Sequence, residues 1–323
     1  MNHIEQYSVY GAKLILKLLG EMRQEINGVR KSKDIEYVHR MRIASRRLRN
    51  SFRIFAECFS EIKLKKWQKS IRGITRALSD GRDTDVKIAF LNHILNNIRS
   101  KEIKPGIKRL CLRLQQRRGR LQKKIIKIFD RLKKAKTLDD IQNTAQSLIN
   151  NATLEPSINS ISIFQYAYLK IFYQLRNVLE FEPYIYKPKY VAELHRMRIA
   201  NKHLRYTIEA FEPLFEGKLK EYLDKIIYVH KILGEIHDCD VWIDYLPEFL
   251  ANERKQIKEF LGSSRAYKRI EPGILHLLKD RKKERKRLYN EFVLFWQQLK
   301  NENTINNLIN LLYLYIEPKT SEP

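Results

Sequence analysis

Apolar residues recur every three or four positions along most of the chain, the spacing expected for one buried face of a helix. In the first half, this pattern and its bordering polar residues predict helices at 7–29, from Ser32 or Asp34 to about Phe59, and at about 64–79, 83–99 and 105–136. In the second half, equivalent helices are expected to start near residues 162, 188, 218, 240 and 272. No alternating strand pattern and no glycine-rich phosphate loop is evident. The sequence therefore predicts an all-α fold.

The chain contains two copies of one helical unit. Residues 38–55 read VHRMRIASRRLRNSFRIF, and residues 194–211, displaced by 156 positions, read LHRMRIANKHLRYTIEAF. Farther on, LSDGRDTDV at 78–86 matches LGEIHDCDV at 233–241, and Arg120-Leu121 matches Arg287-Leu288. Repeats kept in one order indicate duplication of a structural unit. We therefore expect two antiparallel helical bundles related by a pseudo-two-fold axis.

This duplication sets the expected organisation of the chain. We predict one domain over residues 1–323, with a first repeat at 1–136 and a second at 161–316. The segment at 137–160 loses the positive charge and gains Asn, Ser and Thr, so it is interpreted as a linker with one short helix.

Charge makes an anionic partner the main functional expectation. The 63 Lys and Arg residues against 37 Asp and Glu give a net charge of +26, whose self-repulsion an anion would relieve. Nucleic acid, an anionic membrane surface and a phosphate-rich polymer all fit this charge. No signal peptide and no apolar run near the roughly 20 residues of a membrane span is found. Cys58, Cys111 and Cys239 form no C-x-x-C pair and are expected to be reduced, so a cytoplasmic protein without membrane insertion is predicted.

The strongest chemical signal is a row of cations on the helix that carries the first motif. Positions i, i+3, i+7, i+10 and i+14 of one helical face are occupied by His39, Arg42, Arg46, Arg49 and Arg53. Like charges at this spacing repel by a few tenths of a kcal/mol per pair. Arginine binds phosphate oxygens through two parallel hydrogen bonds. Along about 20 Å of helix, such a row matches a linear string of phosphates.

The second copy has a shorter row, and other helices add further candidates. The second row consists of His195, Arg198, Lys202 and Arg205; it ends at Glu209, and His203 stands where the first copy has Arg47. The additional candidates are the aligned pair Arg76 and Lys231, the helical row Arg113, Arg117 and Arg120, and a less regular cluster with Lys283 and Arg287. For these additional residues, a solvated surface role is an equal alternative.

The histidines and aspartates leave several roles open. His39 and His195 lack a ligand at i+3 or i+4, so neither alone is a metal site. Phosphate contact, a structural hydrogen bond and a shared metal are the alternatives for both. The aspartates of the D-x-D-V motifs are expected at helix starts as caps, with a metal or the orientation of motif arginines as alternatives. They are Asp83, Asp85, Asp238 and Asp240. No metal, cofactor or catalytic residue is predicted.

The doubled motif also resembles a known family. The pattern H-x-x-R-x-x-x-[RK]-x-L-R at His39–Arg49 and His195–Arg205, each followed by L-x-x-x-x-D-x-D-V, resembles the CHAD domain, the conserved histidine α-helical domain. The resemblance covers essentially the whole chain. It implies two four-helix-bundle repeats around a basic central cavity or pore. It also implies binding of inorganic polyphosphate and association with polyphosphate granules, with the motif's histidines, arginines and lysine as ligands.

Two other functions are less favoured by the residues. Nucleic-acid binding fits the charge, but the cationic rows contain no interleaved aromatic residues, and no helix-turn-helix or strand-based RNA motif is evident. An enzyme would need a nucleophile, a phosphate loop or a carboxylate–metal cluster, none of which is apparent. The sequence therefore favours non-catalytic polyphosphate binding, with non-specific nucleic-acid binding as the alternative.

Overall fold

The computed structural model describes residues 7–31, 34–151, 163–263 and 265–316, and its regular structure within these ranges is entirely helical. The all-α prediction is confirmed. The helices of the described residues are α1 (Tyr7–Lys31), α2 (Ile35–Ile54), α3 (Glu61–Asn97), α4 (Lys104–Lys134), α5 (Thr137–Asn150), α6 (Ile163–Leu179), α7 (Val191–Phe211), α8 (Lys220–Leu261), α9 (Glu271–Asn301) and α10 (Thr304–Tyr313). In these ranges, no helix is apolar over enough of its length to cross a membrane.

Several helix starts follow the predicted local chemistry. The Asp34 side chain accepts a hydrogen bond from the backbone N–H of Glu36 at 2.8 Å and caps α2. The alternative cap, Ser32, lies outside the described residues. Helices α4 and α9 carry Pro105 and Pro272 in their first turns, where the missing N–H breaks no helical hydrogen bond. Capping signals therefore placed these starts within a few residues.

The predicted break before each D-x-D-V motif is wrong. Residues 61–97 form the single helix α3, and residues 220–261 form the single helix α8. The aspartates therefore lie in the middle of helices instead of capping them. In α3, the Thr84 hydroxyl donates to the backbone carbonyl of Asp80 within the continuous helix. Gly81 is buried against α4, where a Cβ atom would lie only 3.2 Å from Ile125 Cδ1. The small and polar residues that suggested a break serve helix packing.

Three apolar clusters hold the helices together. The first cluster lies among α1, α2, α3, α4 and α5, and the second lies mainly among α6, α7, α8, α9 and α10. The third joins the end of α3 and the start of α4 to the end of α8 and the start of α9. Fully buried representatives of the three clusters are Trp67, Phe211 and Leu246, respectively. The two halves of the chain therefore share one apolar core besides their own.

Helix α5 falls within the segment interpreted as a linker. It packs against α1 and buries Leu138, Ile141 and Ala145 in the first apolar cluster. Helix α10 packs against α6 and α9 in the second half. The repeat boundaries themselves stay a prediction.

Helices α4 and α9 meet at their first turns through two glycines. A Cβ atom on Gly106 would overlap the carbonyl oxygen of Ile270, and a Cβ on Gly273 would overlap the carbonyl oxygen of Ile103. The two contacts are reciprocal, because each glycine faces the residue that precedes the other helix. Only a residue without a side chain allows this backbone approach.

Candidate functional site: a basic cleft beside helices α2 and α7

A cleft of about 800 Å³ lies where α2, α3, α7, α8 and α9 converge. Four of its lining cations were predicted from the sequence as site residues: Arg42, Arg46, Arg198 and Arg287. The sequence did not single out Arg82 or Lys87, which add positive charge from α3. The remaining polar and aromatic lining residues are His39, Asp83, Phe90, Glu235, His237, Asp238, Trp242, Arg281 and Glu284.

Arg42 and Arg46 of α2 are held by one serine of α3. Arg42 Nε donates to Ser79 Oγ at 3.2 Å, and an Arg46 terminal nitrogen donates to the same oxygen at 3.3 Å. Arg42 also lies 3.6 Å from the carboxylate of Asp83. Burial, reinforced by the charge of Arg46, lowers the pKa of Arg42 to about 10. The first aspartate of this D-x-D-V motif therefore orients a motif arginine, one of the alternatives left open by the sequence.

Arg198 of α7 occupies the equivalent position without an equivalent partner. Its Nε is buried and has no hydrogen-bond acceptor. The second copy has Gly234 where the first has Ser79, so the hydroxyl that receives Arg42 is missing here. Burial lowers the pKa of Arg198, although the charge of Asp238 acts in the opposite direction. Arg198 is thus a cleft cation with an unused donor.

The two motif histidines have different surroundings. His39 lines the cleft with a buried Nδ1 that has no partner, and burial together with Arg82 lowers its pKa. His195 Nδ1 lies 3.1 Å from Nδ1 of His237, and burial lowers the pKa of His237 to about 4. A pair of neutral imidazoles can share one proton as donor and acceptor. In the ranges that the structure describes, no three His, Cys, Asp or Glu side chains are grouped for a metal.

The cationic row continues along α2 beyond the cleft. Burial is the main cause of a lowered pKa at Arg49, where the charge of Arg72 adds to it. The pKa of Lys202 falls to about 8 because of burial and then the charge of Arg46. The ring of His203 contacts Arg53, with its Nδ1 2.7 Å from an Arg53 terminal nitrogen. Cations from α2, α3 and α7 therefore converge on one strip of the molecule.

Several predicted site residues are paired with acids or exposed. Arg205 donates to Glu209 at 2.7 Å, and Arg113 donates to the buried Glu253 at 2.5 Å. Arg287 lines the cleft but is bound by Glu284 and Glu291. The predicted residues with exposed side chains outside the cleft lining are Arg76, Arg117, Arg120, Lys231 and Lys283.

Two aromatic residues that the sequence did not assign to the site also line the cleft. Lys87 lies over the ring of Trp242 at 5.1 Å, and Arg281 lies over the ring of Phe90 at 4.4 Å. Both cations are thus held by cation–π contacts. His230 of α8 was missed as well; burial and then the charge of Arg198 lower its pKa to about 3. Recognition of α3 and α8 as continuous helices would have brought these residues to the site.

The fold and the site together define a class of all-helical proteins with a basic cleft that is lined by a duplicated arginine motif. A family model described as CHAD domain matches residues 13–247, more than half of the chain. The chain belongs to the CHAD domain family. No curated protein shows a significant match to it.

Two solved structures share the fold. The CHAD domain from the plant Ricinus communis is 19% identical, with a TM-score of 0.62, and the match covers 87% of this chain and 93% of that one. PptA from Streptomyces chartreusis is 11% identical, with a TM-score of 0.61, and the match covers 90% of this chain and 99% of PptA. At these identities the likeness concerns the fold alone.

Proposed function

We propose that this protein binds inorganic polyphosphate in the basic cleft and does not chemically change it. The observation that carries the proposal is Arg198, whose buried Nε has no acceptor while its side chain lines the cleft with Arg42 and Arg46. An unsatisfied buried donor costs roughly 1–3 kcal/mol, and more on a charged group. A phosphate oxygen would supply the missing acceptor and also offset the mutual repulsion of the arginines.

A linear polymer fits the row of cations better than a single small anion. From Arg42 to Arg53 the row extends over about 17 Å of α2, at about 1.5 Å per residue. Polyphosphate carries a charge on every phosphate, so a bound chain can present a charged group to each turn of the helix in the row. Membership in the CHAD family supports the same ligand, because the motif's resemblance implies polyphosphate binding.

The proposal includes two repeats arranged around a central basic cavity. Support comes from features that the two halves of the chain contribute in equivalent ways. Gly106 meets Ile270 while Gly273 meets Ile103, and the motif arginines Arg42 and Arg198 both enter the cleft. Reciprocal contacts of this kind are what a pseudo-two-fold axis produces. The ligand would then lie near that axis, within reach of both copies.

The cleft is less suited to nucleic-acid bases than to bare phosphates. Base stacking requires a free aromatic face. Trp242 is only 5% exposed and lies under Lys87, and Phe90 lies under Arg281. Both aromatic rings of the cleft are therefore already in contact with cations. The backbone of a nucleic acid would still be attracted by the net charge of +26, so it is the competitor to test.

The test compares long-chain polyphosphate, single-stranded DNA and duplex DNA across a salt series. Each polymer is titrated with the unmodified protein, with the cleft variant Arg42→Ala/Arg198→Ala and with the control variant Lys101→Ala/Lys268→Ala. The control residues are exposed, lie outside the cleft lining and remove the same formal charge. We expect tight polyphosphate binding whose salt dependence becomes shallower in the cleft variant, because fewer phosphate contacts release fewer counterions.

Equal affinity for all three polymers, unchanged by the cleft variant, would contradict the proposal. Release of orthophosphate during the same assay would contradict its non-catalytic part. Association with polyphosphate granules, which the family resemblance implies, would be checked by comparing the cellular distribution of the cleft variant with that of the control.

A further inference from the structure

Helices α2 and α7, which carry the two cationic rows, contact each other through two side-chain pairs. Arg47 Nε donates to Glu209 Oε2 at 3.0 Å, and an Arg53 terminal nitrogen lies 2.7 Å from His203 Nδ1. At the repeat displacement of 156, Arg47 corresponds to His203 and Arg53 corresponds to Glu209. The two contacts are therefore equivalents of each other. Arginines at all four positions would place like charges together at both contacts.

The row of the first repeat keeps its positive charge on leaving the cleft. Among the described residues, Arg46, Arg49 and Arg53 have no carboxylate within ion-pair distance. Lys202 of α7 joins them, and its pKa of about 8 reflects burial and the surrounding arginines. Arg72 of α3 adds charge near Arg49. This strip is a continuous path of uncompensated cations from the cleft outward.

In the second repeat, one carboxylate neutralises the end of the cationic row. Glu209 is only 13% exposed, and it binds Arg205 at 2.7 Å as well as Arg47 at 3.0 Å. Arg205 is the equivalent of Arg49 in the first row, so the charge that continues the first path is neutralised in the second. The carboxylate thus accepts the hydrogen bond that Arg205 could otherwise donate to a phosphate.

We infer that Glu209 acts as a built-in anion that directs a bound polyphosphate chain out of the cleft along α2 of the first repeat alone. The inference rests on the proposed function. It makes Glu209 a specificity-determining residue that limits the polymer to one of two equivalent paths. Long chains would contact Arg49 and Arg53, whereas tripolyphosphate would be confined to the cleft.

The experiment measures the affinity for long-chain polyphosphate and for tripolyphosphate in paired variants. Arg49→Ala and Arg205→Ala remove equivalent arginines, and each is made with Glu209 intact and in the Glu209→Gln background. With Glu209 intact, Arg49→Ala should weaken long-chain binding about tenfold, the loss expected for one charge-assisted hydrogen bond. Arg205→Ala should change it less than about twofold. In the Glu209→Gln background, Arg205→Ala should become as damaging as Arg49→Ala.

Glu209→Gln alone should raise long-chain affinity and steepen its salt dependence, while tripolyphosphate binding stays constant. Arg47→Gln is the stability control, because it removes the same cross-helix contact without opening the second row. Thermal melting would confirm that each variant is folded. Equal losses from Arg49→Ala and Arg205→Ala with Glu209 intact, or unchanged long-chain affinity in Glu209→Gln, would overturn the inference while cleft binding stands. An unchanged polyphosphate affinity in Arg42→Ala/Arg198→Ala would instead overturn the proposed function.

Discussion

Arg118 of α4 donates from Nε to Oδ1 of Asp85 of α3 at 2.7 Å, and the two side chains are only 13% and 8% exposed. The second half repeats the arrangement, because Arg285 of α9 binds Asp240 of α8 in an equally recessed ion pair. The second aspartate of each D-x-D-V motif therefore joins its long helix to the next one. This leaves the first aspartate of each motif, Asp83 or Asp238, to line the cleft.

Removal of the arginine from this pair should destabilise the fold. Arg118→Ala would leave the Asp85 carboxylate buried without its counter-charge, and Asp85 Oδ2 already lacks a hydrogen-bond partner. We expect the free energy of unfolding, measured by urea denaturation, to fall by about 3 kcal/mol. Arg120→Ala, two positions further on an exposed face, should change it by less than about 0.5 kcal/mol. Similar stability of the two variants would show that the ion pair is not structural.

Gly234 offers a test of the unpaired donor of Arg198. A Cβ on Gly234 would lie 3.7 Å from Arg198 Nε, an ordinary van der Waals distance, so both Gly234→Ala and Gly234→Ser fit. Gly234→Ala should stabilise α8 by about 0.5–1 kcal/mol, because a helical glycine is removed, and Gly234→Ser should stabilise it by less, because serine has a lower helix propensity than alanine. Only Gly234→Ser supplies an acceptor like that of Ser79. It should weaken polyphosphate binding by about two- to tenfold, which corresponds to one hydrogen bond, whereas Gly234→Ala should not. Equal affinities of the two variants in a titration would contradict a role for the free Nε.

The crossing of α4 and α9 predicts opposite effects for two glycines of the same helix. Gly106→Ala would place a methyl group against the Ile270 carbonyl and force the helix starts apart, so it should destabilise the protein by about 1–3 kcal/mol. Gly119→Ala meets nothing within 4 Å and should stabilise α4 by about 0.5–1 kcal/mol. Melting temperatures of the two variants would show the difference. A stable Gly106→Ala protein would mean that the helices do not require this close approach.

Helical periodicity and the duplicated motif predicted the all-α class and the row of arginines that enters the cleft. The predicted breaks at Asp83 and Asp240 failed because capping preference is local. An aspartate that can cap a helix is also stable in a helix interior when a partner such as Arg285 binds it from the next helix. The pattern within one helix contains no information about that partner.

Side-chain pairing between helices could not be predicted from the sequence either. Arg113 and Arg117 lie one turn apart on α4. Of the two, only Arg113 contacts a buried acid, Glu253 of α8, which is 140 positions away in the chain. The exchange of Ser79 for Gly234 is visible in the aligned motifs, but its effect on Arg198 follows only from the packing of α7 against α8. Residue type and spacing therefore identified candidates, and tertiary contacts decided which of them keep a free charge.

The free protein should lose stability in mild acid. The pKa values of His203 and His230 are lowered to about 3 by burial, with further contributions from neighbouring arginines and Lys202. An unfolded histidine has a pKa of about 6.5. Between these values the unfolded chain binds more protons than the folded one, so stability falls as the pH decreases below about 6.5. Melting temperatures measured from pH 7.5 to 5 should therefore decrease. A constant melting temperature over this range would contradict the burial of neutral imidazoles.

Binding of polyphosphate should be accompanied by proton uptake. Phosphate charges beside His237, His230 and Lys202 would raise their lowered pKa values, and the raised pKa of Asp238 favours its neutral form in the cleft. Each of these changes makes the complex bind more protons than the free protein. Affinity should therefore decrease steadily as the pH rises from about 5 to 9. Calorimetry at pH 6 in buffers of different ionisation enthalpy would measure the protons directly.

The matched variants for this measurement are His230→Asn and His93→Gln. His230 lies among the charges of Arg198, Arg205 and Arg46, whereas His93 is exposed on α3 and contacts only Asn97 among its polar neighbours in the described chain. Proton uptake should decrease in His230→Asn and stay constant in His93→Gln. Uptake that is absent from the unmodified protein, or equal in both variants, would show that the imidazoles among the motif arginines do not respond to the bound anion.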